Sequence, residues 1–91
     1  MIRLNCFFEA KEGKYNEAFN AAVALVAESQ KQEGCVLYDI YESGTRKNSF
    51  MICETWASQE LLDAHSASAP FKLYVPQILA CGEMKIEQFE F

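Results

Sequence analysis

His65 is the one histidine of this chain and its only side chain with an ordinary pKa near neutrality, so proton transfer at pH 7 would centre on it. It falls one turn after Leu61 in a helical pattern and points the way a core-facing leucine points. That spacing fits a histidine hydrogen-bonded at a helix–sheet seam, and equally a base or ligand contact. Glu54 and Trp56 share side-chain parity with Phe50 and Ile52 on the preceding strand. A carboxylate on such an apolar face has to be paired, hydrated in a pocket or protonated. Asn5 and Asp39 interrupt two other apolar strands, where they bond neighbouring backbone, line a subunit seam or reach into a pocket. Tyr38, Tyr41 and Tyr74 have hydroxyls to offer a phenolic or quinone ligand, or are core aromatics with wetted tips.

Other chemistries lack their residues. There is no glycine-rich phosphate loop, nucleophile elbow, H-E-x-x-H or dinucleotide fingerprint, and no local motif supports a cofactor. Cys6, Cys35, Cys53 and Cys81 form no C-x-x-C pair, so a zinc site is not expected. They sit in or beside apolar runs as small hydrophobes, which fits a reduced, cytoplasmic setting. The eight basic residues are scattered and the net charge is -5, so no basic stripe exists to neutralise nucleic-acid phosphates or an anionic membrane. The longest apolar run, Ala21 to Ala27, is too short to span a bilayer, and Met1-Ile2-Arg3 leads into a strand rather than a signal peptide.

The elements that must position these residues follow from periodicity. Residues 2–8 alternate as a strand; from about Lys14 the spacing of Tyr15, Ala18, Phe19, Ala22 and Val26 is helical, closed by Gly34. Residues 35–42 and 49–56 read as a hairpin around Gly44. Ser58 caps a helix carrying Leu61, Leu62 and His65. Pro70 starts a further segment with Phe71, Tyr74, Val75, Ile78 and Leu79 at helical spacing, which Pro76 is expected to kink or split. After Gly82 a last strand runs to Phe91, with Met84 and Ile86 on one parity and Phe89 and Phe91 on the other, so a bulge is expected. One α+β domain over residues 1–91 results, a ferredoxin-like β-α-β-β-α-β with an antiparallel sheet.

Both faces of that sheet are apolar. Strand two sets Val36, Tyr38 and Ile40 against Cys35, Leu37 and Tyr41; strand three sets Phe50, Ile52 and Trp56 against Met51 and Cys53. Helices cover one face. Leaving the other wet would forgo roughly 1.5–3 kcal/mol per large side chain, so a homodimer through the open sheet face is expected.

The stretch Phe50-Met-Ile-Cys-Glu-Thr-Trp-Ala-Ser-Gln-Glu-Leu-Leu-Asp-Ala-His65, with its Glu-x-Trp strand end, resembles the antibiotic biosynthesis monooxygenase (ABM) family. The strand from Gly34 and the turn at Gly13-Lys14 are also similar to that family. The resemblance spans essentially the whole chain and implies a dimeric α+β barrel. It further implies a cofactor-independent monooxygenase acting on a quinol-like or phenolic small aromatic molecule and O₂. In that reading His65 is the base or anion partner, Glu54 orients it or the substrate, and Asn5 holds an oxygen. Trp56, Tyr38, Phe71 and Tyr74 then contact the substrate. A haem-degrading branch of the family takes its haem-ligating histidine from the segment near Val75-Pro76, where this chain has none. The alternatives on the same fold are an isomerase of a small hydroxycarbonyl compound and a non-catalytic dimeric ligand-binding or stress-associated module.

Overall fold

Two periodicities, alternation and helical spacing, give seven elements in the computed structural model, which describes residues 1–91. They are β1 (Ile2–Ala10), α1 (Tyr15–Ser29), β2 (Cys35–Glu42), β3 (Ser49–Trp56), α2 (Gln59–Ser66), α3 (Ala69–Leu79) and β4 (Gly82–Glu90). The strands form one sheet in the order β2-β3-β1-β4, with every neighbouring pair antiparallel. This is the α+β ferredoxin-like fold expected from the sequence, with its second helical connection made of two helices.

Alternation decides which side chains reach the core. On central β1, Ile2, Leu4, Cys6, Phe8 and Ala10 are buried, while Asn5 and Phe7 face the other way. α1 lays Ala18, Ala21, Ala22, Leu25 and Val26 onto the core, and its alanines let the backbone come close. Phe8, Phe50, Phe19 and Tyr15 make an aromatic cluster at one end of this layer, with Phe8 and Phe50 stacked 4.9 Å apart.

The break between α2 and α3 comes where Pro70 places it, as expected, and three other details differ, each for a local reason. The helix of Ser58 ends at Ser66, where Ser68 Oγ turns back to donate to the His65 carbonyl at 2.6 Å; Pro70, which needs no N–H donor, then sits in the first turn of α3. Pro76 does not split α3. Its missing bond falls to the carbonyl of Lys72, and both residues lie on the exposed side, where water replaces it. α1 stops at Ser29, and Gly34 instead closes the turn that follows. The bulge is in β2, not β4: Cys35 pairs with Trp56 and Leu37 with Thr55, leaving Val36 as the extra, exposed residue. The bulge also returns Cys35 to the core side, so it parts from Leu37 and Tyr41.

β4 pairs regularly with β1 from Ala10–Gly82 to Ile2–Glu90. Met84 and Ile86 oppose Phe8 and Cys6 on the helical face, whereas Phe89 opposes Arg3 on the open face. That open face exposes Phe7, Leu37, Tyr41 and Phe89, and Arg3 places its guanidinium 5.2 Å from the centre of the Phe91 ring. No helix is long and apolar enough to cross a membrane.

Candidate active site

β3 turns Phe50, Ile52, Glu54 and Trp56 toward the helices, and all four are buried. Glu54 thus carries a carboxylate into the core between an isoleucine and a tryptophan. Trp56 Nε1 donates to Glu54 Oε1 at 2.9 Å, and Cys6 Sγ on β1 lies 3.8 Å from Oε2. Tyr38 on β2 stands directly opposite Glu54 in the ladder. Burial pushes the Glu54 carboxyl above its usual range, opposed by donation from Trp56. Burial, then the Glu54 charge, push the Cys6 thiol and the Tyr38 hydroxyl well above theirs, so both stay protonated.

His65 comes from α2. Ser58 caps that helix, its side chain accepting from Leu61 N at 3.3 Å, and the helix buries Leu62 and His65 one turn apart. The imidazole stacks on the Trp56 indole with centroids 4.6 Å apart and meets Tyr38 and Phe71 edge-on at 5.4 and 5.3 Å. Its Nδ1 is 2.7 Å from Gln32 Oε1. Its Nε2 has no hydrogen-bond partner and lies 3.9 Å from Glu54 Oε1, beyond hydrogen-bond length. Burial lowers its pKa to about 4, so the ring is neutral across the physiological range.

These groups share a cavity of about 500 Å³ between the helical face of the sheet and α2–α3. His65, Glu54, Tyr38 and Cys6 are its titratable groups, and Phe71, Leu25, Ile52 and Ile78 supply much of its apolar wall. The volume suits a small organic molecule. No lysine or arginine lines it, so its polar groups favour a neutral ligand with hydrogens to donate. A larger groove of about 610 Å³ on the opposite side, bordered by Phe7, Tyr41, Arg46 and Lys85, holds none of the buried titratable groups. The smaller cavity is the better candidate site because it alone joins shape to chemistry.

The expected site residues are therefore brought together only in part. His65, Glu54, Tyr38 and Phe71 line the cavity. Trp56 is fully buried behind His65 and Glu54 and supports them rather than forming the wall. Tyr74 on α3 packs against the core without lining the cavity. Asn5 pairs with Cys53 and Glu87 on the open face of the sheet, across from His65, because odd positions of β1 point away from the helices. Two residues join the site that parity and spacing had not singled out for it: Cys6 and Gln32. Cys6 was legible as an inward position of β1, whereas no local signal marks Gln32.

Comparison with known proteins agrees with this fold. The family model described as antibiotic biosynthesis monooxygenase matches residues 1–77. The chain is 31% identical to the Bacillus subtilis (strain 168) protein named "Putative monooxygenase YcnE" over 75 residues, 82% of this chain and 79% of that protein. A crystal structure of a Bacteroides thetaiotaomicron VPI-5482 protein of unknown function, described as a possible oxidoreductase, is 50% identical with a TM-score of 0.96, covering 99% of this chain and 96% of that one. A conserved protein from Methanosarcina mazei Go1 is 28% identical with a TM-score of 0.92, covering 98% of this chain and 90% of that one.

Proposed function

The chain belongs to the antibiotic biosynthesis monooxygenase family, and from that premise we propose that it oxidises a quinol-like or phenolic aromatic with O₂, without a bound cofactor. One observation carries the reading: a neutral imidazole with an unpartnered Nε2 sits beside a buried carboxylate on the wall of an apolar cavity. A phenolic hydroxyl in the cavity supplies the missing hydrogen. Nε2 takes the proton, and the imidazolium formed is held by the Glu54 carboxylate beside it and the Trp56 face behind it.

Deprotonation makes the aromatic electron-rich enough to pass an electron to O₂; the two radicals combine at a ring carbon, and loss of water leaves the oxidised product. Hydroquinone plus O₂ balances as hydroxyquinone plus water, so the substrate supplies all the electrons. The dry, apolar wall favours charge transfer confined to the bound pair.

A homodimer through the open sheet face completes the proposal, because Phe7, Leu37, Tyr41 and Phe89 on that face are exposed in a single chain. Its four cysteines, all free thiols, suit a reduced cytoplasmic setting. The test is incubation with a panel of hydroquinones with and without oxygen. Oxygen-dependent product formation lost in His65→Ala is expected. Turnover of a hydroxycarbonyl compound without oxygen, or unchanged turnover in His65→Ala, would overturn the oxygenase assignment.

A further inference from the structure

We propose that Gln32 is a positioning residue: its side-chain carbonyl accepts the Nδ1 proton of His65 and thereby leaves Nε2 as the bare lone pair that faces the site. The inference rests on the reading of His65 as a base, and adds the residue that fixes which nitrogen is basic.

Gln32 lies in the turn between α1 and β2, and sequence distance gives no hint of its reach to α2. Gly34 provides that reach. It adopts a φ of +83, and a Cβ there would stand 2.4 Å from Leu61 Cδ1 and 2.6 Å from Leu61 Cβ. The turn can therefore lie directly against α2 one helical turn before His65. Backbone bonds fix it there: Gln32 N donates to Ser29 O at 3.0 Å, Cys35 N to Gln32 O at 3.2 Å, and Ala57 N to Gly34 O at 2.9 Å. The half-buried Gln32 side chain then meets Nδ1 at 2.7 Å.

A neutral imidazole carries one N–H, so a donor at Nδ1 makes Nε2 an acceptor. The other tautomer would leave two lone pairs facing each other at 2.7 Å, while its Nε2–H pointed at a Glu54 oxygen 3.9 Å away, too far to bond. The remaining titratable groups around the ring are Tyr38 on β2 and Cys6 on β1, both kept protonated, and α3 meets it with Phe71. None of them competes with Gln32 for Nδ1.

Because His65 is the chain's one histidine, its ring nitrogens can be read directly in the uniformly ¹⁵N-labelled full chain by two-bond proton–nitrogen correlation. A protonated Nδ1 and bare Nε2 are expected at pH 7. Gln32→Leu should shift the ring toward the Nε2–H form and lower kcat about 10- to 100-fold with little change in KM. Gln32→Glu should restore the Nδ1–H form and move the titration midpoint of His65 up. An Nε2–H ring in the unaltered chain, as a reversed Gln32 amide would give, overturns the inference. So does a tautomer and midpoint unchanged in Gln32→Leu. Should Gln32→Leu fail to fold, the unaltered chain and Gln32→Glu still decide it. The spectra need no substrate: the expected tautomer without oxygen-dependent turnover sinks only the activity, and the converse sinks only the role of Gln32.

Discussion

Trp56 donates its indole N–H to the carboxylate of Glu54, two residues earlier on the same strand, at 2.9 Å. Residues so spaced share one face of a sheet, which brings the two side chains together without help from any other element. The spacing Glu-x-Trp thus carries a built-in donor for an acid that enters the core, alongside the longer contact from Cys6 Sγ. The same indole stacks beneath His65, so one side chain orients both partners of the proposed base site.

Trp56→Phe keeps a ring under His65 but removes the donor and, because Trp56 is fully buried, leaves a small cavity as well. A buried oxygen left without its bond costs about 1–3 kcal/mol. Urea unfolding should show a loss of at least that size, with the Glu54 carboxyl raised further. Unfolding curves that superimpose would mean the bond contributes nothing to stability.

The two buried titratable groups should act on stability with opposite signs. His65 is lowered to about 4 in the folded chain, so between its unfolded value near 6.5 and that point the unfolded state binds more protons. Its contribution is complete above pH 6.5 and declines as pH falls toward 4. Glu54 is raised, so its contribution is complete below its unfolded value and declines as pH rises through the folded one. Denaturation midpoints from pH 4 to 7.5 should show the margin of the unaltered chain over His65→Gln shrinking toward acid. Its margin over Glu54→Gln should shrink toward neutral pH. Margins flat with pH would contradict both shifts.

Gly13 and Gly34 both hold positive φ, +80 and +83, but only Gly34 has a neighbour where a Cβ would go. Gly13→Ala should cost about 1 kcal/mol through backbone strain alone. Gly34→Ala should cost more and also break the contact of Gln32 with His65, visible as a changed histidine nitrogen spectrum. Equal melting temperatures for the two variants would show that the approach to Leu61 does not matter.

The exposed aromatics of the open face give the proposed dimer a direct check. Phe7→Glu and Tyr41→Glu place charge where a partner would pack, and sedimentation should then find one chain where the unaltered protein gives two. A monomer at every concentration in the unaltered protein would rule the assembly out.

The sheet, its faces and the inward positions of Glu54 and His65 were legible in the sequence because each depends on local periodicity. Asn5 illustrates the limit of residue type as a guide: it has the chemistry of a site residue, but β1 parity sends it to the opposite face from His65. Trp56 and Tyr74 are expected as substrate contacts but lie off the cavity wall, because depth within a face is set by how closely the helices press on it, which alternation does not encode. Gln32 was illegible for a different reason. Its partner lies across a turn whose close approach hangs on a missing Cβ, a fact of three-dimensional fit. The bulge at Val36 returns Cys35 to the core side and parts Val36 from Tyr38 and Ile40, since an extra unpaired residue leaves no mark in an otherwise apolar run.

Cys6 and Phe7 are consecutive on central β1, the first beside Glu54 in the cavity, the second on the outer surface. Substitutions can adjust either independently, but a shift of the strand against its neighbours moves both at once. With β1 bonded to β3 and β4 along its length, a one-place slip would carry the phenyl ring in against the carboxylate and put the thiol outside. The register of β1 against its two neighbours is therefore a specification as strict as the identity of its residues, and a one-place shift would damage surface and site together.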